Sequence, residues 1–431
     1  MTIEWNARGA LAGRVFERER MLRLADRLAI ALAISLPWST SATGILAGLW
    51  LFALVPALDP AALRRVLSTP AGALPALLWA FGVAGMLWAD VPMAERIDGL
   101  GPFHKLLCIP LLMAQFERSG RASHVMLGFL ASCSLLLLLS FVLVMFPGIP
   151  WQETAMPGVP VKNYAAQSEL FTIAAFIAAE LAREQWQRAQ RANGIGLAVL
   201  ALGLLANILL FATTRTALVV IPILVLLYGF RCAGLRGVSI ALICGAAMGA
   251  VVWKASPFLQ HRVASLSSEI NNYQAANEGS SAAERLEFWK KSIGFIIKAP
   301  VLGHGTGSIT EQYRRAAAEQ TGVSAVVTAN PHNQTLAVAI QLGLAGAVVL
   351  LALWIAHLRL FGTAGLWAWA GLVIVVQNIV GSLFNSNLFD FTHGWAYVIG
   401  VGICGGMALA KAGQGAPPLP ERQVIGDTTR P

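Results

Sequence analysis

Asn330-Pro331-His332-Asn333 closes a long polar interruption, residues 256–332, and stands directly against the apolar run 334–360. Elsewhere the chain passes quickly from one apolar run to the next, so 256–332 is the only sizeable piece able to build a surface outside a lipid bilayer. Hydrophobic residues make up 56% of the 431 and charged residues only 12%. The mean hydropathy of +0.65 is far above that of a soluble domain of this length. These properties predict an all-α polytopic membrane protein with one large helical loop.

A spanning helix needs about 20 mainly apolar residues, and that measure yields about twelve candidates. They lie near 24–37, 41–58, 71–89, 103–117, 123–147, 164–182, 194–212, 216–230, 237–254, 334–360, 364–384 and 392–411. The expected organisation is nine spans within 1–254, the large loop at 255–333, three spans within 334–411, and a Pro- and Gly-rich disordered tail at 412–431. Residues 1–27 are too long and too polar for a cleavable leader, so the first helix is expected to remain in the mature chain.

Alternate loops collect Lys and Arg, which marks the cytoplasmic side. One set holds Arg64 and Arg65, Arg118 and Arg121, Arg183, Arg188 and Arg191, Arg231 and Arg236, Arg359 and Lys411, together with the Arg-rich N-terminus. The opposite set holds the turn at Pro37, residues 90–101, 147–162, the turn 213–216, the large loop and 385–394. Both termini are then cytoplasmic and the large loop faces outward. The net charge of +9 is accounted for by this topology, and nucleic acid drops out as a partner. Of the five cysteines, Cys108, Cys133, Cys244 and Cys404 fall in apolar runs and Cys232 in a short loop, so neither a disulfide framework nor a thiolate zinc site is expected.

Arg215, in Phe211-Ala212-Thr213-Thr214-Arg215-Thr216, breaks the charge pattern because it sits in an outward turn between two apolar helices. Two readings stand: the side chain snorkels to lipid phosphates, or it is a fixed cation suited to an anionic headgroup. Lys105, after Pro102-Phe103-His104, and Lys162, in Val161-Lys162-Asn163-Tyr164, are placed similarly. Within the large loop, residues 256–274 carry a loose helical pattern. Ser281-x-x-Glu284 has capping-box spacing ahead of a helix lined by Leu286, Trp289, Ile293, Ile296 and Ile297, stopping before Pro300. Arg285, near the start of that helix, opposes its dipole unless an acid or ligand meets it.

Gly303-His304-Gly305-Thr306-Gly307 leads into a second capping-box spacing, Ser308-x-x-Glu311. Successive glycines before a helix N-terminus suit phosphate, although no strand precedes them and no Gly-Lys-Ser/Thr follows. The other reading is a flexible connection. His332 closes the loop, with Pro331 disfavouring helix at Asn330 and suiting the first turn of the helix that follows. An imidazole at the outer end of a membrane helix can accept a proton near neutral pH, as activation of a hydroxyl requires.

In these features the chain resembles the O-antigen ligase family of bacterial envelope enzymes. The resemblance rests on Thr213-Thr214-Arg215-Thr216, and on Arg285 with Trp289 ahead of Pro300-Val301-Leu302-Gly303-His304-Gly305. It rests also on Pro331-His332-Asn333-Gln334-Thr335-Leu336 followed by Gly343 and Gly346. It implies metal-independent, inverting transfer of a glycan from undecaprenyl pyrophosphate to a sugar hydroxyl of lipid A-core at the periplasmic face of the inner membrane, with no cofactor. It further implies that His332 orients or deprotonates the acceptor and that Arg215 and Arg285 hold the pyrophosphate. Lys105, Lys162, Asn163, Asn333 and His304 are further candidates for binding pyrophosphate or glycan.

The chemistry of the residues agrees. A pyrophosphate leaving group needs charge stabilisation, and the arginine fork supplies two donors at once. The outward segments contain no Asp-x-Asp and no His-Glu-x-x-His. An O-antigen polymerase would use the same donor, with a second lipid-linked glycan as acceptor. A transporter would concentrate ionisable groups near the bilayer midplane. Here Glu169 is the main such residue, expected to serve as a proton site or to pair with a polar group in the bundle.

Overall fold

The computed structural model describes residues 2–149, 151, 157–212, 214–255, 260 and 281–414. Among them the secondary structure is helical, with no strand. The helices before the loop are α1 Thr2–Ser35, α2 Thr40–Leu54, α3 Pro60–Leu67, α4 Pro70–Gly85, α5 Met93–His104, α6 Cys108–Phe116, α7 Ala122–Met145, α8 Tyr164–Gln187, α9 Arg191–Leu210 and α10 Arg215–Ala255. The loop contributes α11 Ser281–Lys298 and α12 Ile309–Ala317. The chain then returns through α13 Gln334–Leu360, α14 Leu366–Gly381 and α15 Phe391–Gln414. The loose pattern at 256–274 and the tail after Gln414 lie outside the described residues.

Eight helices among the described residues are long and apolar enough to cross a bilayer, or nine if α3 and α4, bent by 88°, form one broken span. The expected count of about twelve is not reached by that test, for local reasons. Helix α14 has only 16 residues, about 24 Å of rise. Two expected spans, 216–230 and 237–254, fall within α10. Its 41 residues include a break at Ala233 and Gly234, and a Cβ on Gly237 would come 1.9 Å from the Gly229 carbonyl oxygen. Residues eight apart lie about 12 Å apart along a straight helix, so the chain doubles back there. Residues 90–101, read as loop, are largely helical, because α5 starts at Met93 and runs through a 3-10 turn at Lys105–Leu107 into α6.

Short polar residues open these helices. Ser39, Asp59, Thr69, Asn163 and Asn333 each accept a first-turn N–H through the side chain, which satisfies donors that lipid leaves without partners. Pro60 and Pro70 follow two of these caps at positions where no N–H is needed. Helix α8 is the hub, with 83% of its apolar window buried, and it packs against α7, α9, α10, α14 and α15. A polar side chain on α8 is therefore held by protein rather than lipid.

The loops meet in the two groups that the charge pattern separates. At one end Arg118 pairs with Asp59, Arg65 with Glu117 at 3.3 Å, and Arg183 and Arg231 both with Glu180 at 2.7 and 2.8 Å. At the other, Arg315 pairs with Asp90 at 2.8 Å and Trp88 Nε1 donates to the Leu302 carbonyl at 3.2 Å.

The glycine-rich segment 300–307 is a strap rather than a flexible connection. Gly343 breaks α13 with φ +65°, and the N–H groups freed beyond it, at Leu344 and Ala345, donate to the carbonyls of Pro300 and Val301. A Cβ on Gly303, also at positive φ, would strike the Gly343 nitrogen at 2.5 Å, so the two glycines permit the crossing. The strap's own N–H groups are consumed by the protein: His304 and Gly305 donate to Ile340 and Gln341 carbonyls, Thr306 to Gly85, and Gly307 to Gln341 Oε1. That arrangement replaces the reading of a phosphate cradle. The capping box at Ser308 does not form, since Ser308 makes no side-chain cap and Glu311 pairs with Arg314 and Arg315 instead. Helix α13 starts at Gln334, three residues after Pro331, with Asn333 as its cap.

Candidate functional site

Three chain segments far apart in sequence meet at the end of the bundle that carries the loop. Thr214 Oγ1 accepts the Ala217 N–H at 2.9 Å and so caps α10, which makes Arg215 the helix's first residue. Helix α11 brings Arg285, and the approach to α13 brings His332. All three side chains line one cavity of about 170 Å³, together with Glu169 and His393.

Burial, and next the neighbouring Arg215 charge, hold the Arg285 guanidinium below its ordinary pKa. Two guanidinium groups in one half-buried pocket repel each other, and the start of α10 adds partial positive charge to the same wall. Such an arrangement can receive an anion, and the fork geometry suits phosphate oxygens.

His332 is held on several sides. Its backbone has φ +54°, a conformation sparsely populated by non-glycine residues. Its N–H donates to Asn330 Oδ1 at 2.8 Å. The ring stacks on Phe288, with centroids 6.1 Å apart and planes 16° apart, and Nδ1 lies 3.1 Å from Asn385 Oδ1. Burial first, and Arg285 second, push the imidazole pKa below its ordinary value, against the pull of the Asn385 bond. The ring is consequently neutral at neutral pH and able to accept a proton.

Below these groups His393 joins two carboxyl groups, Nε2 at 3.1 Å from Glu169 and Nδ1 at 2.6 Å from Asp390. Glu169 thus has a polar partner within the bundle. Among the described residues no group of three His, Cys, Asp or Glu side chains is placed to hold a metal ion.

The remaining candidates do not line this cavity. Lys105 Nζ donates to the carbonyls of Phe389 at 3.1 Å and Asp390 at 2.5 Å. Lys162 Nζ donates to the Leu36 carbonyl at 2.5 Å and Thr392 Oγ1 at 3.1 Å. Burial pushes its ammonium down to about 8, against the pull of Asp390. Asn163 caps α8 and Asn333 caps α13, while His304 Nε2 lies 2.9 Å from the Phe295 carbonyl. Both lysines support the floor of the site by tying 389–392 to the bundle.

Sequence reasoning missed Asn385 and His393, which enter the cavity from 385–394, a segment read only as an outward turn. Its density of Asn385, Asn387, Asp390 and His393 is the signal that was present. Asn330 was noticed only for its place before Pro331.

Residues 200–351 match the family model described as O-Antigen ligase, a span that contains Arg215, Arg285 and His332. No curated protein matches the chain significantly. Taken with helices long and apolar enough to cross a membrane several times among the described residues, the match over residues 200–351 supports a multi-pass member of the O-antigen ligase/polymerase family.

Proposed function

We propose that the protein is an O-antigen ligase of the bacterial inner membrane, transferring a glycan from undecaprenyl pyrophosphate to a sugar hydroxyl of lipid A-core at the periplasmic face. The observation that carries this reading is the meeting of Arg215, Arg285 and neutral His332 in one cavity, at the end where charge patterning places the outward loops. Arg215 and Arg285 hold the pyrophosphate. His332 takes the proton of the acceptor hydroxyl as its oxygen attacks the anomeric carbon, and the bond from that carbon to the pyrophosphate oxygen breaks with inversion. Undecaprenyl pyrophosphate leaves with one more negative charge than the bound donor carried, and the two guanidinium groups hold that added charge and so lower the barrier. The proton passes from His332 to solvent.

The test is reconstitution with lipid-linked O-antigen and lipid A-core, comparing wild type with Arg215→Ala and His332→Asn. Asparagine tolerates positive φ but cannot act as the base. Both variants are expected to lose transfer, and equal extension of the acceptor by all three proteins refutes the assignment. Lengthening of lipid-linked chains without transfer to core would make the protein a polymerase.

A further inference from the structure

We infer that Asn330 and Asn385 are positioning residues that commit His332 to the Nδ1–H tautomer and leave Nε2 as its acceptor. The inference rests on the reading of His332 as the base and specifies how the protein prepares it. An amide side chain can face either way, and an imidazole can carry its proton on either nitrogen, so each orientation must be derived from a group of fixed polarity. Here that group is the backbone N–H of His332. It can only donate, so the Asn330 atom 2.8 Å from it is an oxygen. Ser386 Oγ donates to the same oxygen at 2.7 Å.

With its oxygen so placed, Asn330 presents its NH2 to Asn385 at 2.9 Å. The Asn385 atom that receives it must then be Oδ1, and that oxygen lies 3.1 Å from His332 Nδ1. An acceptor there requires Nδ1 to carry the hydrogen. The backbone N–H of His332 therefore sets the protonation of its own ring through two amides. Among the described residues no hydrogen bond engages Nε2, and the stack on Phe288 holds the ring plane.

The pair is uncharged, and chemistry favours that choice. A carboxylate in place of Asn385 would also accept from Nδ1–H, but it would stabilise the imidazolium and keep the ring charged at neutral pH. It would also compete for Arg285, the cation whose field reaches His332. An amide orients the ring without either effect.

The same substitution at the two positions therefore has opposite outcomes. In Asn385→Asp the acid still accepts from Asn330 and from Nδ1–H, so the tautomer is kept. In Asn330→Asp the new side chain still accepts from the His332 N–H and Ser386 but has no NH2. Asn385 must then present its own NH2 to that carboxylate, and the same NH2 donates to Nδ1 and drives the hydrogen to Nε2.

The experiment is 15N NMR of histidine-labelled full-length protein in lipid nanodiscs, at a pH where the ring is neutral, with His332→Asn identifying the signal. Wild type and Asn385→Asp are expected to show Nδ1–H, and Asn330→Asp to show Nε2–H. In parallel glycan-transfer assays Asn330→Asp should lose roughly 10²-fold or more in kcat. Asn385→Asp should lose transfer at neutral pH and regain it as pH rises, the acidic limb of its profile being displaced to higher pH. An Nε2–H signal in wild type, or the same tautomer in both variants, overturns the inference. If the NMR assignments hold while His332→Asn transfers glycan at the wild-type rate, the tautomer control stands and the proposed role of His332 falls.

Discussion

Replacing Arg285 by lysine and by glutamine separates its two effects, contact with the pyrophosphate and the field it exerts on His332. Lysine keeps the charge and loses the fork. A charge-assisted hydrogen bond contributes about 1.5–3 kcal/mol, so losing one of two costs roughly 10- to 150-fold in kcat/KM at 1.36 kcal/mol per tenfold. Glutamine also removes the charge, and the loss rises to about 10²- to 10³-fold, the scale for a missing transition-state donor.

The pH profile distinguishes the variants further. Wild-type His332 has a pKa held below its ordinary value by burial and by Arg285, so the base form persists at neutral pH and is lost as pH falls through that depressed value. Arg285→Gln removes the repelling charge, raises the imidazole pKa and moves the acidic limb to higher pH, whereas Arg285→Lys leaves the limb near its wild-type position. The assay is transfer from lipid-linked O-antigen to lipid A-core in proteoliposomes across the acidic to neutral range. Full activity in Arg285→Lys, or an unmoved limb in Arg285→Gln, refutes the reasoning.

Gly343→Ala places a Cβ 2.2 Å from the Val301 carbonyl oxygen at φ +65°; the expected cost is about 2–5 kcal/mol, read as a lower melting temperature, and an unchanged melting point would show that the strap is not pinned there. Glu180 is fully buried between Arg183 and Arg231, so Glu180→Ala leaves two cations facing each other and should destabilise by about 3 kcal/mol. Adding Arg231→Met should recover part of that loss in the same unfolding assay. Lys162 is depressed from 10.5 to about 8, so between those values the unfolded chain binds the extra proton and stability rises with pH. Lys162→Met should flatten that rise in melting experiments across the interval; an identical slope would mean that Lys162 is not held as described.

Much of the architecture was legible because lipid leaves little choice: apolar runs of spanning length become helices, and loop charge sets alternation. Thus α7 and α13 follow their apolar runs closely. The break at Ala233–Gly234, the continuation of α5 toward α6 and the brevity of α14 were less legible, because a mean hydropathy registers neither backbone reversal nor helical order in polar turns. The glycine run 303–307 misled for a related reason. Positive φ admits both a phosphate cradle and a tight crossing, and only the partners of its N–H groups tell them apart.

The sequence by itself singled out Arg215, Arg285 and His332 as the side chains whose chemistry suits the proposed anionic donor, since a guanidinium fork can hold phosphate oxygens and an imidazole can take a proton. Only the tertiary structure decided that they share a cavity, and that Lys105 and Lys162 serve as struts for residues 389–392 rather than lining it. It also decided the company His332 keeps. Asn330 and Asn385 are 55 residues apart, and since the polarity of an amide depends on what faces it, their joint hold on the imidazole exists only once α13 and the segment 385–390 are packed together.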